Sequence, residues 1–264
     1  MSSSISNNDI FIEKTIALVS LSSKQNSSPS LIFKIKEGIQ SIKGFGTIDT
    51  NIFSGKHFGD EITIAGQRFI ILQPSLQDIF SHAKRGPQVI IQKDAALIIL
   101  YSNIGPGSKV VELGMGAGFL TICLLNAVGK EGCVVSYELR QDHIEIAKKN
   151  ISFLGEGYNH VIKNKDAYEG IEEEDFDAVV SDIPEPWRCI ASVKKVLKPG
   201  GFFTAYLPTV NQVEKLVVSA SKELNYITTF ETLFREYNVK EEATRPSFEM
   251  LGHTGFITVF RKIY

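Results

Sequence analysis

The stretch Val110-Val111-Glu112-Leu113-Gly114-Met115-Gly116-Ala117-Gly118-Phe119 runs from a β-branched apolar strand through three glycines into a segment of helical composition. A strand–glycine turn–helix junction brings backbone N–H groups close to a ligand beneath a helix N-terminus. The glycines fall as G-x-G-x-G, and Phe119 occupies the position where a dinucleotide loop of G-x-G-x-x-G type needs its third glycine, which points away from NAD and FAD. The next strand ends in Glu138, about twenty residues on, where a carboxylate can take both hydroxyls of a ribose. A third strand leads into Asn164-Lys165-Asp166-Ala167, placing Asp166 at the rim of the sheet to accept from an adenine amino group.

Outward from the loop, strand and helix patterns alternate. Strands are expected at 109–113, 133–138, 160–163, 176–182 and 201–207, with helices at 118–128, 142–154, 190–197 and 211–224. Such alternation needs crossover connections and therefore an α/β fold with a largely parallel sheet covered on both faces. Two final strand-like stretches, 227–239 and 256–262, suit an antiparallel edge. Helices are also expected at 76–83 and at 94–103, the second ended by Gly105-Pro106-Gly107. Before Pro74 the texture differs: short strands at 10–19, 31–35, 47–52, 61–64 and 68–72 are punctuated by glycine, as in a small β-barrel or sandwich. The polar 22–30 stretch is the best candidate for a mobile loop. The expected organisation is a tail over 1–8, a small β-domain over 9–74 and an α/β domain over 75–264.

Ligands of open α/β sheets sit beyond the C-terminal ends of the strands. The strand at 176–182 ends in Asp182-Ile183-Pro184-Glu185-Pro186-Trp187, so Asp182 points to the same crevice as the glycine loop, and two prolines stiffen a rim that carries the only tryptophan. A carboxylate there suits methylation of a ring nitrogen in a nucleobase. Adenine N1 has a lone pair, and the barrier lies in the positive charge that develops as it attacks a methyl group. An aspartate accepting from the neighbouring amino group stabilises that charge and orients the ring.

Composition bounds the rest. The chain has 264 residues and a formal net charge of −2, so no overall basic field announces a nucleic-acid partner, and any such surface must be local. Cys123, Cys133 and Cys189 form no C-x-x-C pair and are read as buried apolar fillers, with no metal site expected. No apolar run approaches the ~20 residues that span a bilayer, and 1–8 lacks a basic segment followed by an apolar one. A cytoplasmic protein is expected.

Glu112, two residues before the first glycine, stands where motif I of the class I, Rossmann-like methyltransferases carries its acid, a resemblance that implies S-adenosylmethionine as cofactor. Several further segments resemble the tRNA (adenine-N1)-methyltransferases that modify T-loop position 58, especially archaeal members that also act on position 57. They are Lys84-Arg85-Gly86-Pro87-Gln88, Lys93-Asp94-Ala95-Ala96, Ser136-Tyr137-Glu138, Asp182-x-Pro184-x-Pro186-Trp187, Ala205-Tyr206-Leu207-Pro208-Thr209, Arg245-Pro246 and Gly252-His253-Thr254-Gly255. The resemblance implies a small N-terminal β-domain, a class I methyltransferase domain, a homotetramer, and a target adenine drawn out of its stack in tRNA. By motif, Asp182 is the expected catalytic carboxylate and also borders the cofactor. Leu113, Gly114, Met115, Gly116, Ala117, Gly118, Glu138, His143 and Asp166 are the expected cofactor residues. Tyr206, His253, Arg85 and Trp187 are expected on the substrate side. The chain departs from the pattern at Met115 and Ala117, where hydroxyl residues are expected, and at Ile91-Gln92. Two other classes stay open at this point: a non-catalytic tRNA-binding subunit, and a methyltransferase of protein carboxylates.

Overall fold

Residues 13–21, 31–42, 45–86 and 89–264 are described in a computed structural model. The chain divides into two units, one of the residues up to Lys84 with Lys149–Glu156, the other of Arg85–Lys148 with Gly157–Tyr264.

In the first unit, Thr15–Ser20 (β1), Leu31–Lys34 (β2), Glu61–Ile64 (β5) and Gln67–Leu72 (β6) form an antiparallel sheet in the order β2-β1-β6-β5, and Ile39–Ile42 (β3) pairs with Gly46–Asp49 (β4) as a separate hairpin. Ala65 and Gly66 both take positive φ, as a two-residue turn between β5 and β6 requires. Alternate side chains, among them Ile16, Leu18, Phe33, Ile62, Ile64, Phe69 and Ile71, fill one core. The expected strand at 47–52 stops at Asp49, whose carboxylate accepts from the Asn51 N–H at 3.0 Å and caps a 3₁₀ turn over Thr50–Phe53. The hairpin strand β3 was not anticipated, because Ile39–Ile42 holds only two apolar residues. Leu76–His82 (α1) opens on a capping box between Ser75 and Asp78. Asn150 explains why 149–156 belongs here: its amide is buried and exchanges two 2.9 Å hydrogen bonds with the Lys84 backbone. The expected tail 1–8, the loop 22–30 and the start of the strand from Ile10 lie outside the described residues.

The second unit is built on seven strands: Lys109–Leu113 (β7), Cys133–Tyr137 (β8), Asn159–Lys163 (β9), Phe176–Ser181 (β10), Leu197–Leu207 (β11), Asn225–Phe230 (β12) and Phe256–Arg261 (β15). Between the last two lies a two-residue pairing of Tyr237–Asn238 (β13) with Arg245–Pro246 (β14). The sheet order is β12-β15-β11-β10-β7-β8-β9, with β9 through β11 parallel and β15 antiparallel to both neighbours. Its helices are Gln92–Tyr101 (α2), Phe119–Val128 (α3), Gln141–Ile151 (α4, whose last turn belongs to the first unit), Ile190–Val196 (α5) and Val210–Ala220 (α6). The central strands are near-continuous apolar runs, as strands buried on both faces must be, and Phe203 stacks on Phe260 within the core.

The mostly parallel sheet with an antiparallel edge is therefore observed. The long strand expected over 227–239 is not: β12 ends at Phe230, opposite Ile257, because β15 offers no partner beyond Phe256. The expected helix 142–154 gives way after Ile151 to a 3₁₀ turn that Gly155 terminates at φ 92°. Cys123 and Cys189 are buried as expected, whereas Cys133 is half-buried at the mouth of β8. The strand order reverses between β7 and β10, whose C-terminal ends lie side by side. That switch point is where an open sheet leaves a crevice.

Candidate active site

Two backbone hydrogen bonds define the crevice. The Asp182 N–H donates to the Leu113 carbonyl at 2.8 Å, and the Gly114 N–H donates to the Tyr137 carbonyl at 3.0 Å, so the segments after β7, β8 and β10 are tied at their first residues. Gly114, Gly116 and Gly118 take φ of 87°, 54° and 82°, a left-handed run that L side chains resist. Each has its own reason. A Cβ on Gly114 would lie 2.5 Å from the Asp182 carbonyl oxygen, whereas a Cβ on Gly116 would meet nothing within 4 Å. Gly118 is the N-cap of α3. Met115 and Ala117, between the glycines, are buried. Gly114, Met115, Gly116, Ala117 and Asp182 line one small cavity together with Ile90.

Glu138 reaches the loop from β8. Its Oε2 accepts from the Gly116 N–H and its Oε1 from the Arg140 N–H, both at 2.9 Å, and Asn164 Nδ2 holds the Glu138 carbonyl at 2.9 Å. His143 Nδ1 lies 3.7 Å from Glu138 Oε2. Each carboxylate oxygen accepts one of these N–H groups and retains further acceptor capacity, which binding a diol requires. Glu138→Ala is expected to weaken cofactor binding by roughly 1.5–3 kcal/mol for each charged hydrogen bond lost, measured as a dissociation constant by calorimetry; an unchanged constant contradicts the assignment.

Glu112 is wholly buried under the loop. Thr121 and Ser136 donate their hydroxyls to its Oε2 at 2.8 and 2.6 Å, while Oε1 has no hydrogen-bond partner among the described residues. Burial pushes its carboxyl up to about 8 against the pull of those two hydroxyls, with further upward pressure from the charges of Asp182 and Glu138. Asp182 keeps an open surface at the crevice floor, yet loss of hydration among the surrounding atoms, and secondarily the Glu138 charge, raise its carboxyl to about 7. Water access tempers that rise without reversing it. Among the described residues neither Glu112 nor Asp182 has a basic partner within ion-pair distance. Burial holds Glu112 mostly neutral near pH 7, while an ionised Asp182 beside a glycine loop, without a basic partner, disfavours a pyrophosphate and suits a cationic ligand.

The remaining expected residues are placed less tightly. Asp166 is half-buried and accepts from the Tyr168 N–H at 2.9 Å, capping its own 3₁₀ turn. Tyr206 is buried on β11, with its hydroxyl 3.2 Å from Asp94 Oδ2, and feels the Asp182 charge. His253 is exposed, held between Glu231 at 2.7 Å and the Pro208 carbonyl at 3.0 Å; the Glu231 contact raises its pKa. Trp187 is half-buried with Lys215 Nζ 4.3 Å above its ring, and Arg188 lies over Tyr168 at 4.1 Å. Arg85 is exposed, and Pro87 and Gln88 of its motif lie outside the described residues. The structure thus joins Leu113 to Gly118, Glu138, His143 and Asp182, and among the described residues shows no hydrogen bond or ion pair from Asp166, Trp187, His253 or Arg85 to that group. Sequence reasoning missed Thr121 and Ser136; the second faces Glu112 in register across β7 and β8, a signal available once the two strands are paired.

Residues 79–247 match the family described as tRNA methyltransferase complex GCD14 subunit. The chain is 34% identical over 252 residues to the tRNA (adenine(57)-N(1)/adenine(58)-N(1))-methyltransferase TrmI of Methanocaldococcus jannaschii, covering 84% of this chain and 89% of that one. It is 33% identical to the tRNA (adenine(58)-N(1))-methyltransferase TrmI of Thermus thermophilus, over 78% of this chain and 79% of the relative. Among solved structures, it superposes on a SAM-dependent O-methyltransferase of Thermotoga maritima with a TM-score of 0.79 and 29% identity, covering 97% and 96% of the two chains. The tRNA (m1A58) methyltransferase TrmI of Aquifex aeolicus gives 0.73 at 26% identity, covering 97% of this chain and all of that one.

Proposed function

The chain belongs to the GCD14 family of tRNA methyltransferase subunits, and from that premise we propose that it transfers a methyl group from S-adenosylmethionine to N1 of an adenine in the T-loop of tRNA. What carries the proposal is the place of Asp182, one backbone hydrogen bond from the glycine loop at the switch point of the sheet. The cofactor supplies an electrophilic methyl group on a sulfonium. Leu113 to Gly118 would cradle it, with Glu138 on the ribose, His143 beside Glu138, and Asp166 toward the adenine. Asp182, which has no basic partner among the described residues, suits its positive charge when ionised, and the open space beside Gly116 leaves room at the loop.

Asp182 would accept from the amino group of the target adenine, fix the ring for in-line attack, and offset the charge that builds as N1 bonds to carbon. A base in a duplex-like stack must be turned out to reach this depth. Tyr206 and Trp187 are the proposed residues for it, and Arg85 and His253 are proposed to meet the phosphates. Position 58 is the proposed target, with 57 as a second; the M. jannaschii relative is named for both.

A homotetramer is proposed as the working form, supported by exposed apolar side chains along 233–251, including Leu233, Phe234, Tyr237, Val239 and Phe248. No described helix is long and apolar enough to cross a membrane, and no described His, Cys, Asp and Glu group could hold a metal ion. Cytoplasmic location is proposed from the tRNA substrate. A small barrel-like β-domain over 9–74, ahead of a methyltransferase domain over 75–264, is supported by the antiparallel strands of the first unit.

Primer extension on an unmodified tRNA transcript tests the target, because a methyl group at N1 blocks Watson–Crick pairing and stops the polymerase. A stop at 58, moved or lost when that adenine is replaced, is expected. Stops outside the T-loop contradict the assignment.

A further inference from the structure

One ion pair lies away from the glycine loop and is almost closed to water. Asp94 is fully buried and the Lys93 side chain is 11% exposed, both at the start of α2. Lys93 Nζ donates to Asp94 Oδ1 at 2.6 Å, to the Thr232 carbonyl at 2.8 Å and to Thr254 Oγ1 at 2.8 Å, which satisfies its three protons. Asp94 is filled from the other side: the Thr232 hydroxyl donates to Oδ1 at 3.3 Å and the Tyr206 hydroxyl to Oδ2 at 3.2 Å.

These bonds join three pieces of the fold. Thr232 and Thr254 sit near the two ends of the segment between β12 and β15, and Tyr206 stands on β11 within the field of Asp182. The tyrosine ring is also pressed from the side, since a Cβ on Gly255 would run into the Tyr206 ring. A buried ion pair is a poor source of stability compared with apolar residues of the same volume, but it fixes one arrangement of the groups that satisfy it.

We propose that Lys93 and Asp94 are positioning residues, which fix the Tyr206 hydroxyl and anchor both ends of the 231–255 segment, so that the pocket for the target base is assembled before tRNA arrives. This rests on the reading of the crevice as a tRNA adenine methyltransferase site. The two residues would act through Tyr206 and the two threonines. Their contribution is orientation, which matters because misplacement by about 1 Å can cost on the order of 100-fold in rate.

A double-mutant cycle on the full chain tests it, with Asp94→Ala, Tyr206→Phe and the pair, reading kcat and KM for a tRNA transcript alongside the cofactor dissociation constant. Wild-type transfer comes first: no 1-methyladenosine from wild type overturns the underlying function and this inference with it. With an active wild type, each single change is expected to lower kcat by about 10- to 100-fold, the pair no further than the worse single, and cofactor affinity to stay within about twofold. Additive losses, or full kcat in Asp94→Ala, overturn the positioning role. Tyr206→Phe keeps the ring and the ion pair, so it decides the matter even if Asp94→Ala does not fold: full kcat in that variant overturns the proposal, and a loss in kcat at unchanged cofactor affinity upholds it.

Discussion

Asp182→Ala is expected to lower methyl transfer by about 100- to 1,000-fold, the scale seen when one charge-stabilising group is removed from a preorganised site. Cofactor affinity should change far less, because the loop and Glu138 keep their own hydrogen bonds. The ionised carboxylate is the form that accepts from the amino group, and its carboxyl is raised to about 7. The rate should therefore climb as pH rises through about 7, and the climb should vanish in Asp182→Asn, whose residual rate is flat. The stability sign follows from the same shift. An unfolded aspartate gives up its proton near 3.8, whereas the folded chain holds this one to about 7, so the folded state binds more protons between those values and loses stability as pH rises across them. Asp182→Asn removes that loss and should melt at a higher temperature than wild type at pH 8 without cofactor. Near-wild-type turnover in Asp182→Ala would remove the catalytic assignment.

Gly114→Ala carries the second large effect. The residue sits at φ 87°, where an alanine pays about 1–2 kcal/mol in backbone strain. In addition its methyl would lie 2.5 Å from the Asp182 carbonyl oxygen and 2.9 Å from Ile183 Cγ2, so the segment after β10 must move. Displacing the segment that bears Asp182 should cost on the order of 100-fold in methyl transfer, together with a lowered melting temperature. Gly116→Ala is the matched comparison, with positive φ and nothing within 4 Å of the added methyl. It should retain more stability and lose mainly cofactor affinity, because that methyl enters the space beside the loop. Equal behaviour of the two variants would mean that strain alone, and not the packing of Asp182 on Gly114, sets the outcome.

The α/β unit was legible because its signals are local. Strands buried on both faces read as apolar runs, and glycine marks the turns between them, so β7 to β10 fell within a residue of where the pattern put them, whereas β11 starts at Leu197, four residues before the expected 201. The same locality made the glycine loop, Glu138 and Asp182 visible, since each stands at the end of a strand and the parallel order carries those ends to one edge. What stayed hidden depends on partners distant in sequence. The length of β12 is set by where β15 stops, not by its own residues. Asp94 reads as an ordinary first-turn acid of α2, and only the approach of Tyr206, 112 positions away, and of Thr232 shows why it is buried. Thr121 and Ser136 look like small polar fillers until the register brings them against Glu112.

Mass spectrometry of nucleosides from an unmodified tRNA transcript, incubated with the purified chain and isotopically labelled S-adenosylmethionine, tests the central claim most directly. Label in 1-methyladenosine, absent when the T-loop adenines are replaced, is the expected result. Label confined to another nucleoside, or no label in tRNA from protein that binds the cofactor, would contradict it.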